Sequence, residues 1–180
     1  MSGENFSDQG SKHITLKKTD HILGNPKSPL TIIEYGDFLC NDTANVEPTI
    51  QKILKKYSGK ICFVWRHFPL PEHQGSDIVA QISEAASSQG TFWQLHDYLL
   101  KQGVLTEDRI LKFVRKLGLN VDRFMSEINS QKFKSHVDAD IKTGQKNSVE
   151  GTPTFFFNGK KYEGPLIYSA LNKAAACYLL

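Results

Sequence analysis

The sequence has few cysteines, no strong excess of one charge and no long apolar run. Three cysteines in 180 residues are too few, and odd in number, for the disulfide scaffold of a secreted protein, so we expect a reducing, cytoplasmic compartment. The 22 basic and 19 acidic residues are scattered, which argues against the basic stripe of a nucleic-acid-binding protein. No apolar stretch approaches the ~20 residues that span a bilayer, and the first residues lack the apolar core of a secretory signal. We therefore expect a soluble protein with neither nucleic-acid nor membrane partners.

The first third of the chain has the pattern of a flexible tail followed by a βαβ unit. Residues 1–20 are polar and have little to bury, which predicts a flexible N-terminal tail. The apolar run LTIIEY at 30–35 predicts a strand, residues 42–57 carry apolar side chains at helical spacing, and a second strand pattern follows at 61–68. A strand, a helix and a strand at this spacing form a unit with a parallel strand pair.

The pattern then changes to helices alone and returns to strands near the end. Residues 69–148 have apolar residues at helical spacing, with glycines between the segments. At 154–164 an Asn-Gly pair between two strand-like runs predicts a hairpin, and an amphipathic helix closes the chain. We therefore predict one α/β domain built from residues 21–68 and 149–180, with an all-helical domain inserted between the two segments.

Cys40 lies where the first strand ends and the first long helix begins. The free N–H groups and the macrodipole of a helix N-terminus stabilise an anion, so this position favours a thiolate. Thr43 follows one helical turn later on the same face, close enough to donate a hydrogen bond to the sulfur. Asp42 acts in the opposite sense, because a nearby carboxylate disfavours a second negative charge. These residues alone leave two interpretations open, a reactive thiol and a small, inert, buried side chain.

The run IIEYGDFLC at 32–40 resembles the active-site strand of DsbA-like thiol oxidoreductases of the thioredoxin superfamily, which continues there as C-x-x-C. Glu34 matches the buried acid under the redox site of that family, and Pro48 matches the proline that kinks the active-site helix. The loop at 151–153 matches the family's cis-proline loop, and the likeness runs from about His21 to the end of the chain. The resemblance implies a thioredoxin-like α/β sheet with an inserted all-helical domain.

The chain departs from the family inside the redox motif itself. Thr43 stands where the family has its second cysteine, and Asn41-Asp42 replaces the usual Pro-containing pair. A dithiol cycle within this site is therefore not possible, because the second sulfur normally resolves the mixed disulfide. Monothiol chemistry remains, in which Cys40 attacks a mixed disulfide and an external thiol resolves the intermediate.

The resemblance also gives the remaining site residues their expected roles. The backbone before the cis proline pairs with an extended substrate or with glutathione, and the buried acid relays protons. Two structural alternatives stay open: an ordinary proline at a strand entry, and a glutamate that faces solvent at a strand edge. The expected catalytic residues are Cys40, Thr43 and Glu34, and the expected substrate-binding residues are Asn41, Asp42, Thr152 and Pro153.

The other cysteines and two histidines are weaker candidates for chemistry. Cys62 falls in a buried strand pattern and Cys177 in the last helix, so we expect both to be core residues rather than resolving thiols. His67 and His73 flank two prolines, but their spacing matches no compact zinc pattern and no second cysteine supports them. We therefore predict no metal site and no bound cofactor.

Three functions are compatible with this sequence. The first is a monothiol thiol–disulfide oxidoreductase that acts on disulfide-containing or glutathionylated proteins, with glutathione as a co-substrate. The second is a redox-inactive binding or chaperone-like module that keeps the substrate-binding surface. The third is a glutathione-dependent transferase or isomerase, which relatives with altered active-site pairs suggest.

Overall fold

The computed structural model describes residues 14–179. Its strands are β1 (His21–Gly24), β2 (Leu30–Gly36), β3 (Ile61–His67), β4 (Thr154–Phe157) and β5 (Lys160–Lys161). Its helices are α1 (Asn41–Lys56), α2 (Ser76–Ser87), α3 (Phe92–Lys101), α4 (Glu107–Lys116), α5 (Val121–Asn129), α6 (Lys134–Lys146) and α7 (Tyr168–Leu179). Among the described residues, no helix is both long enough and apolar enough to cross a bilayer.

One five-stranded sheet has the strand order β1-β3-β2-β4-β5. The β2 and β3 strands are parallel, as the βαβ pattern predicted, and the other neighbouring pairs are antiparallel. Successive side chains of β2 point to opposite faces of the sheet, and both faces are covered. The run of apolar residues in β2 is therefore nearly continuous. Ile32 packs with residues of α1 and α7 on one face, and Ile33 packs with Val64 and Phe156 on the other. The predicted thioredoxin-like α/β sheet is therefore confirmed.

Helices α2 to α5 follow β3 in the chain and share an apolar cluster, against which Phe133, just before α6, also packs. Leu95, Leu99, Val114 and Phe124 are fully or almost fully buried in this cluster. Trp65 of β3 also belongs to it, so the same cluster joins the sheet to the helices.

The predicted flexible tail, residues 1–20, lies partly outside the described residues, and its described part is packed. Ile14 is buried against the sheet. The guanidinium of Arg66 donates to both carboxylate oxygens of Asp20, at 2.8 and 2.9 Å, and both side chains are 1% exposed. The polar composition of this segment gave no sign of this packing, because its ion-pair partner lies in β3.

Candidate active site

Cys40 is the N-cap residue of α1, at the end of the loop that leaves β2. Its side chain is 7% exposed, and its thiol donates a hydrogen bond to the backbone oxygen of Thr152 at 3.2 Å. Among the described residues, no side chain caps the first turn of α1. The sulfur therefore lies at the positive end of the helix, where a negative charge is stabilised.

Thr152 and Pro153 reach Cys40 through the pairing of β4 with β2, although Thr152 lies 112 residues further along the chain. The peptide bond between Thr152 and Pro153 is cis. The side-chain oxygen of Thr152 is buried and has no hydrogen-bond partner among the described residues. The structure thus places the backbone of Thr152 beside the sulfur, with Pro153 next to it in the chain.

Thr43 is on the buried side of α1 but does not bond to the sulfur, contrary to the expectation. Its hydroxyl is fully buried and has no partner among the described residues. Cys40 has extended backbone angles, φ −79° and ψ 122°, so it lies outside the regular helix whose geometry brings side chains three apart together. The thiol therefore turns to the backbone of Thr152 instead.

Two carboxyl groups are buried beneath the cysteine. Glu34 of β2 is fully buried, which excludes the solvent-facing alternative, and neither of its oxygens has a partner among the described residues. Burial, with the nearby Glu47 and Cys40, raises the pKa of Glu34 well above its usual range. Burial likewise raises the pKa of Glu47 in α1 to about 7, against the opposing hydrogen bond from Gln51. Burial therefore favours the protonated form of both carboxyl groups.

The loop between β2 and α1 is held by Asp37, which the sequence analysis did not select. Its buried carboxylate accepts hydrogen bonds from the backbone N–H groups of Leu39 at 2.8 Å and Leu70 at 3.0 Å. It also bonds to His73 Nδ1 at 2.6 Å and accepts from the hydroxyl of Ser76. An acidic residue directly after a buried strand was the available signal.

Glu47 was also missed, although its position is visible in the sequence. It follows Thr43 by one helical turn, so a helix that buries Thr43 also directs Glu47 inwards.

An open cleft of about 290 Å³ lies beside Cys40. Asn41 and Ala44 of α1 line one part of it, and Leu100 and Lys101 at the end of α3 line another. Asn41 therefore lies where a substrate could contact it. Asp42, the other residue expected to bind substrate, is exposed on the first turn of α1 and is not among the residues that line this cleft.

The remaining cysteines differ from each other in burial. Cys62 is fully buried in β3, as expected, and burial raises the pKa of its thiol. Cys177 is exposed, so the expectation of a core residue is wrong. The buried face of α7 carries Leu171 and Ala175, and Cys177 lies two residues beyond Ala175, on a different face of the helix.

Solved structures with a similar backbone define the class of fold. A thioredoxin-like oxidoreductase from Silicibacter pomeroyi DSS-3 has a TM-score of 0.78 at 23% identity, covering 89% of this chain and 92% of that chain. BdbD from Bacillus subtilis, in its oxidised form, has a TM-score of 0.78 at 22% identity, covering 88% and 91%. The thiol-disulfide exchange protein α-DsbA2 from Wolbachia pipientis has 0.76 at 21%, covering 88% and 87%. The protein therefore has a DsbA-like fold.

The family follows from the sequence. A family model described as Thioredoxin matches residues 16–175, and the chain belongs to this thioredoxin family. Its relatives include proteins named Na(+)/H(+) antiporter: NhaA 3 of Salinispora tropica, 36% identical over 157 residues, and NhaA 1 of Salinispora arenicola, 37% identical over 157 residues. Each match covers 86% of this chain, which spans about a quarter, 24%, of the length of these curated relatives.

Proposed function

We propose that this protein is a monothiol thiol–disulfide oxidoreductase that acts on protein disulfides or glutathione mixed disulfides through Cys40. The observation that carries the proposal is the position of one thiol at the N-terminus of α1, beside Thr152 and on the wall of an open cleft. A helix N-terminus stabilises negative charge, and the thiolate is the form of a cysteine that attacks a disulfide. Thr43 occupies the position of the resolving cysteine in the C-x-x-C motif. The thiol that resolves the mixed disulfide on Cys40 must therefore come from another molecule.

The proposed reaction has two exchange steps. The Cys40 thiolate attacks one sulfur of a mixed disulfide, a bond forms between them, and the other sulfur leaves as a thiolate that takes up a proton. An external thiol such as glutathione then loses its proton and attacks the sulfur bound to Cys40. With a glutathione mixed disulfide as substrate, this step releases the Cys40 thiolate and oxidised glutathione, so the enzyme returns unchanged, the substrate thiol is reduced and glutathione is oxidised.

The neighbouring groups support these steps. In the free protein the Cys40 thiol donates a hydrogen bond to the backbone oxygen of Thr152. When the thiol loses its proton, that oxygen can accept a hydrogen bond from an N–H group of an extended substrate. Glu34, whose pKa burial raises well above its usual range, can return a proton to the Cys40 thiolate after release. Asn41 offers an amide on the cleft wall, and Asp42 offers a carboxylate to parts of the substrate outside it.

The test is exchange with a glutathionylated peptide in the presence of glutathione. We expect the parent protein to accelerate release of the peptide thiol and Cys40→Ser to lose this acceleration entirely, because serine cannot form the mixed disulfide. Cys177→Ser is the matched control and should keep full activity, since Cys177 is an exposed thiol that lines no part of the cleft. Equal rates for the parent protein and Cys40→Ser would contradict the proposal.

A binding module is the second candidate, and the enclosure of Cys40 favours it. The side chain is 7% exposed and its thiol is already bonded to Thr152. This candidate predicts that Cys40→Ser binds an extended peptide as tightly as the parent protein does, with no exchange by either. Isothermal titration with the peptide in its reduced form measures this binding, and the exchange assay described above separates the two candidates.

A further inference from the structure

Three histidine rings converge on one buried carboxylate, a cluster that does not include Cys40. The carboxylate belongs to Glu84 of α2. Its Oε1 contacts His21 Nε2 of β1 and lies 2.7 Å from His67 Nε2 of β3. Its Oε2 lies 3.1 Å from His136 Nδ1 of α6. Three elements of the fold, β1, β3 and α6, thus bring imidazole nitrogens to a carboxylate on a fourth, α2.

The cluster is enclosed. The side chains of Glu84, His21 and His67 are 4%, 9% and 1% exposed, and His136 at 21% is the group nearest to solvent. The ring of Phe92 stacks on His21 with the centroids 3.5 Å apart. An apolar shell of this kind around polar ligands controls solvent access at metal sites.

We propose that His21, His67 and Glu84 bind one divalent transition-metal ion of the zinc class. The ligand atoms of these three residues all lie within 4.8 Å of one another, so small side-chain movements bring them around one ion. Two imidazoles and a carboxylate form a donor set that suits zinc, and three protein ligands leave a fourth position for water. The expectation of no metal site considered only His67 and His73, because sequence spacing does not show that β1, β3 and α2 meet here.

His136 is assigned a positioning role. Its Nδ1 bonds to the second oxygen of Glu84, and its Nε2 lies 3.9 Å from a carboxylate oxygen of Asp140. Ligating carboxylates are commonly held in this way by a second layer of hydrogen bonds, whose loss typically weakens metal affinity ~10–100-fold.

Trp65 supplies a reporter for occupancy. Its indole N–H donates to His67 Nδ1 at 3.2 Å, and because an indole nitrogen is only a donor, the metal-free His67 carries its proton on Nε2. Binding of an ion at Nε2 moves that proton to Nδ1 and removes the acceptor of Trp65. Trp93 donates instead to the backbone oxygen of Ile22, which no tautomer change affects, so it serves as the internal reference.

The experiment is a zinc titration of the full chain carrying Cys40→Ser and Cys177→Ser, which removes binding by those thiols. We expect one equivalent of Zn²⁺ by calorimetry, with affinity reduced more than ~100-fold by His21→Ala, His67→Ala or Glu84→Gln and ~10–100-fold by His136→Ala. His73→Ala, outside the cluster, should bind as tightly as the parent. Far-ultraviolet circular dichroism verifies that each variant is folded, and Glu84→Gln keeps the shape of the side chain.

Nuclear magnetic resonance of the two indole N–H groups completes the test. During the titration the Trp65 signal should shift while the Trp93 signal stays in place. The proposal would be overturned if Zn²⁺ did not bind with one-to-one stoichiometry, or if Glu84→Gln bound it as tightly as the parent. Either result would mean that the cluster only connects its four elements through hydrogen bonds. Binding without a Trp65 shift would overturn the assignment of His67 as a ligand.

Discussion

Thr43 carries a buried hydroxyl without a partner among the described residues, which makes its contribution measurable. Because an unsatisfied buried polar group costs ~1–3 kcal/mol, we expect Thr43→Val to raise the free energy of unfolding by about 1 kcal/mol in urea denaturation. Thr143→Val is the control and should lower it, since that hydroxyl bonds to Lys17 and Tyr35. A similar decrease in the free energy of unfolding in both variants would indicate that the Thr43 hydroxyl does have a hydrogen-bond partner. The expected contact with Cys40 would then stand again.

Glu47 should make stability depend on pH. Burial raises its pKa from 4.5 to about 7, so the folded state holds this proton more tightly than the unfolded chain. The stabilisation is complete at low pH and is lost as the pH rises through about 7, by up to ~1.4 kcal/mol per pH unit. We therefore expect Glu47→Gln, which does not titrate, to gain stability relative to the parent protein as the pH rises from 4.5 to about 7.

Urea denaturation at several pH values measures this difference. Glu163→Gln, at an exposed glutamate, is the control and should give a difference from the parent that is the same at every pH. A pH-independent difference for Glu47→Gln as well would argue against a raised pKa for Glu47.

The loop that carries Cys40 depends on Asp37, which fixes it to the start of the inserted helices. We expect Asp37→Ala to lower the free energy of unfolding by at least about 2 kcal/mol, because it leaves several buried donors unsatisfied. Alkylation of Cys40 in a Cys177→Ser background should become faster, since the released loop exposes the thiol. Asp138→Ala removes a half-exposed ion pair and should cost less than ~0.5 kcal/mol. An unchanged alkylation rate would show that Asp37 does not hold the loop closed.

The elements with a strong pattern were predictable from the sequence, and the short ones were not. The parallel pair β2 and β3, the helix α1 between them and the β4–β5 hairpin all follow from local periodicity and turn residues. The β1 strand was missed because HILG has only four residues, and its antiparallel hydrogen bonds to β3 define it as a strand. Local pattern cannot reveal a strand that exists only through its partner.

At the scale of the whole molecule, a buried ion pair between Asp20, before β1, and Arg66 of β3 attaches the N-terminal segment to the sheet. We expect Asp20→Asn to cost ~3–5 kcal/mol, because it leaves a guanidinium buried without its countercharge. Thermal and urea denaturation measure this loss, and Asp138→Asn at a half-exposed pair should change little. A loss below ~1 kcal/mol for Asp20→Asn would mean that the segment from Ile14 to Asp20 adds little to the stability of the fold.

The candidate site shows which long-range contacts a sequence can reveal. The place of Cys40 at a helix N-terminus is a local property, so composition and spacing were sufficient to find it. Its contact with Thr152 spans 112 residues, and only the resemblance to a known family suggested it. The histidine cluster around Glu84 joins four elements that no sequence spacing connects, so it required the folded structure.

The exposed thiol on α7 will affect how the purified protein behaves. In air-oxidised buffer two copies can join through a Cys177–Cys177 disulfide, because this thiol reacts without any opening of the fold. A dimer band on a non-reducing gel then shows that the Cys177 thiol was oxidised during storage, and is no evidence of chemistry at Cys40. The same thiol is a natural attachment point for a fluorophore or a surface tether, since α7 contributes none of the residues that line the cleft beside Cys40. Immobilisation through Cys177 would leave that cleft unmodified and open to solvent.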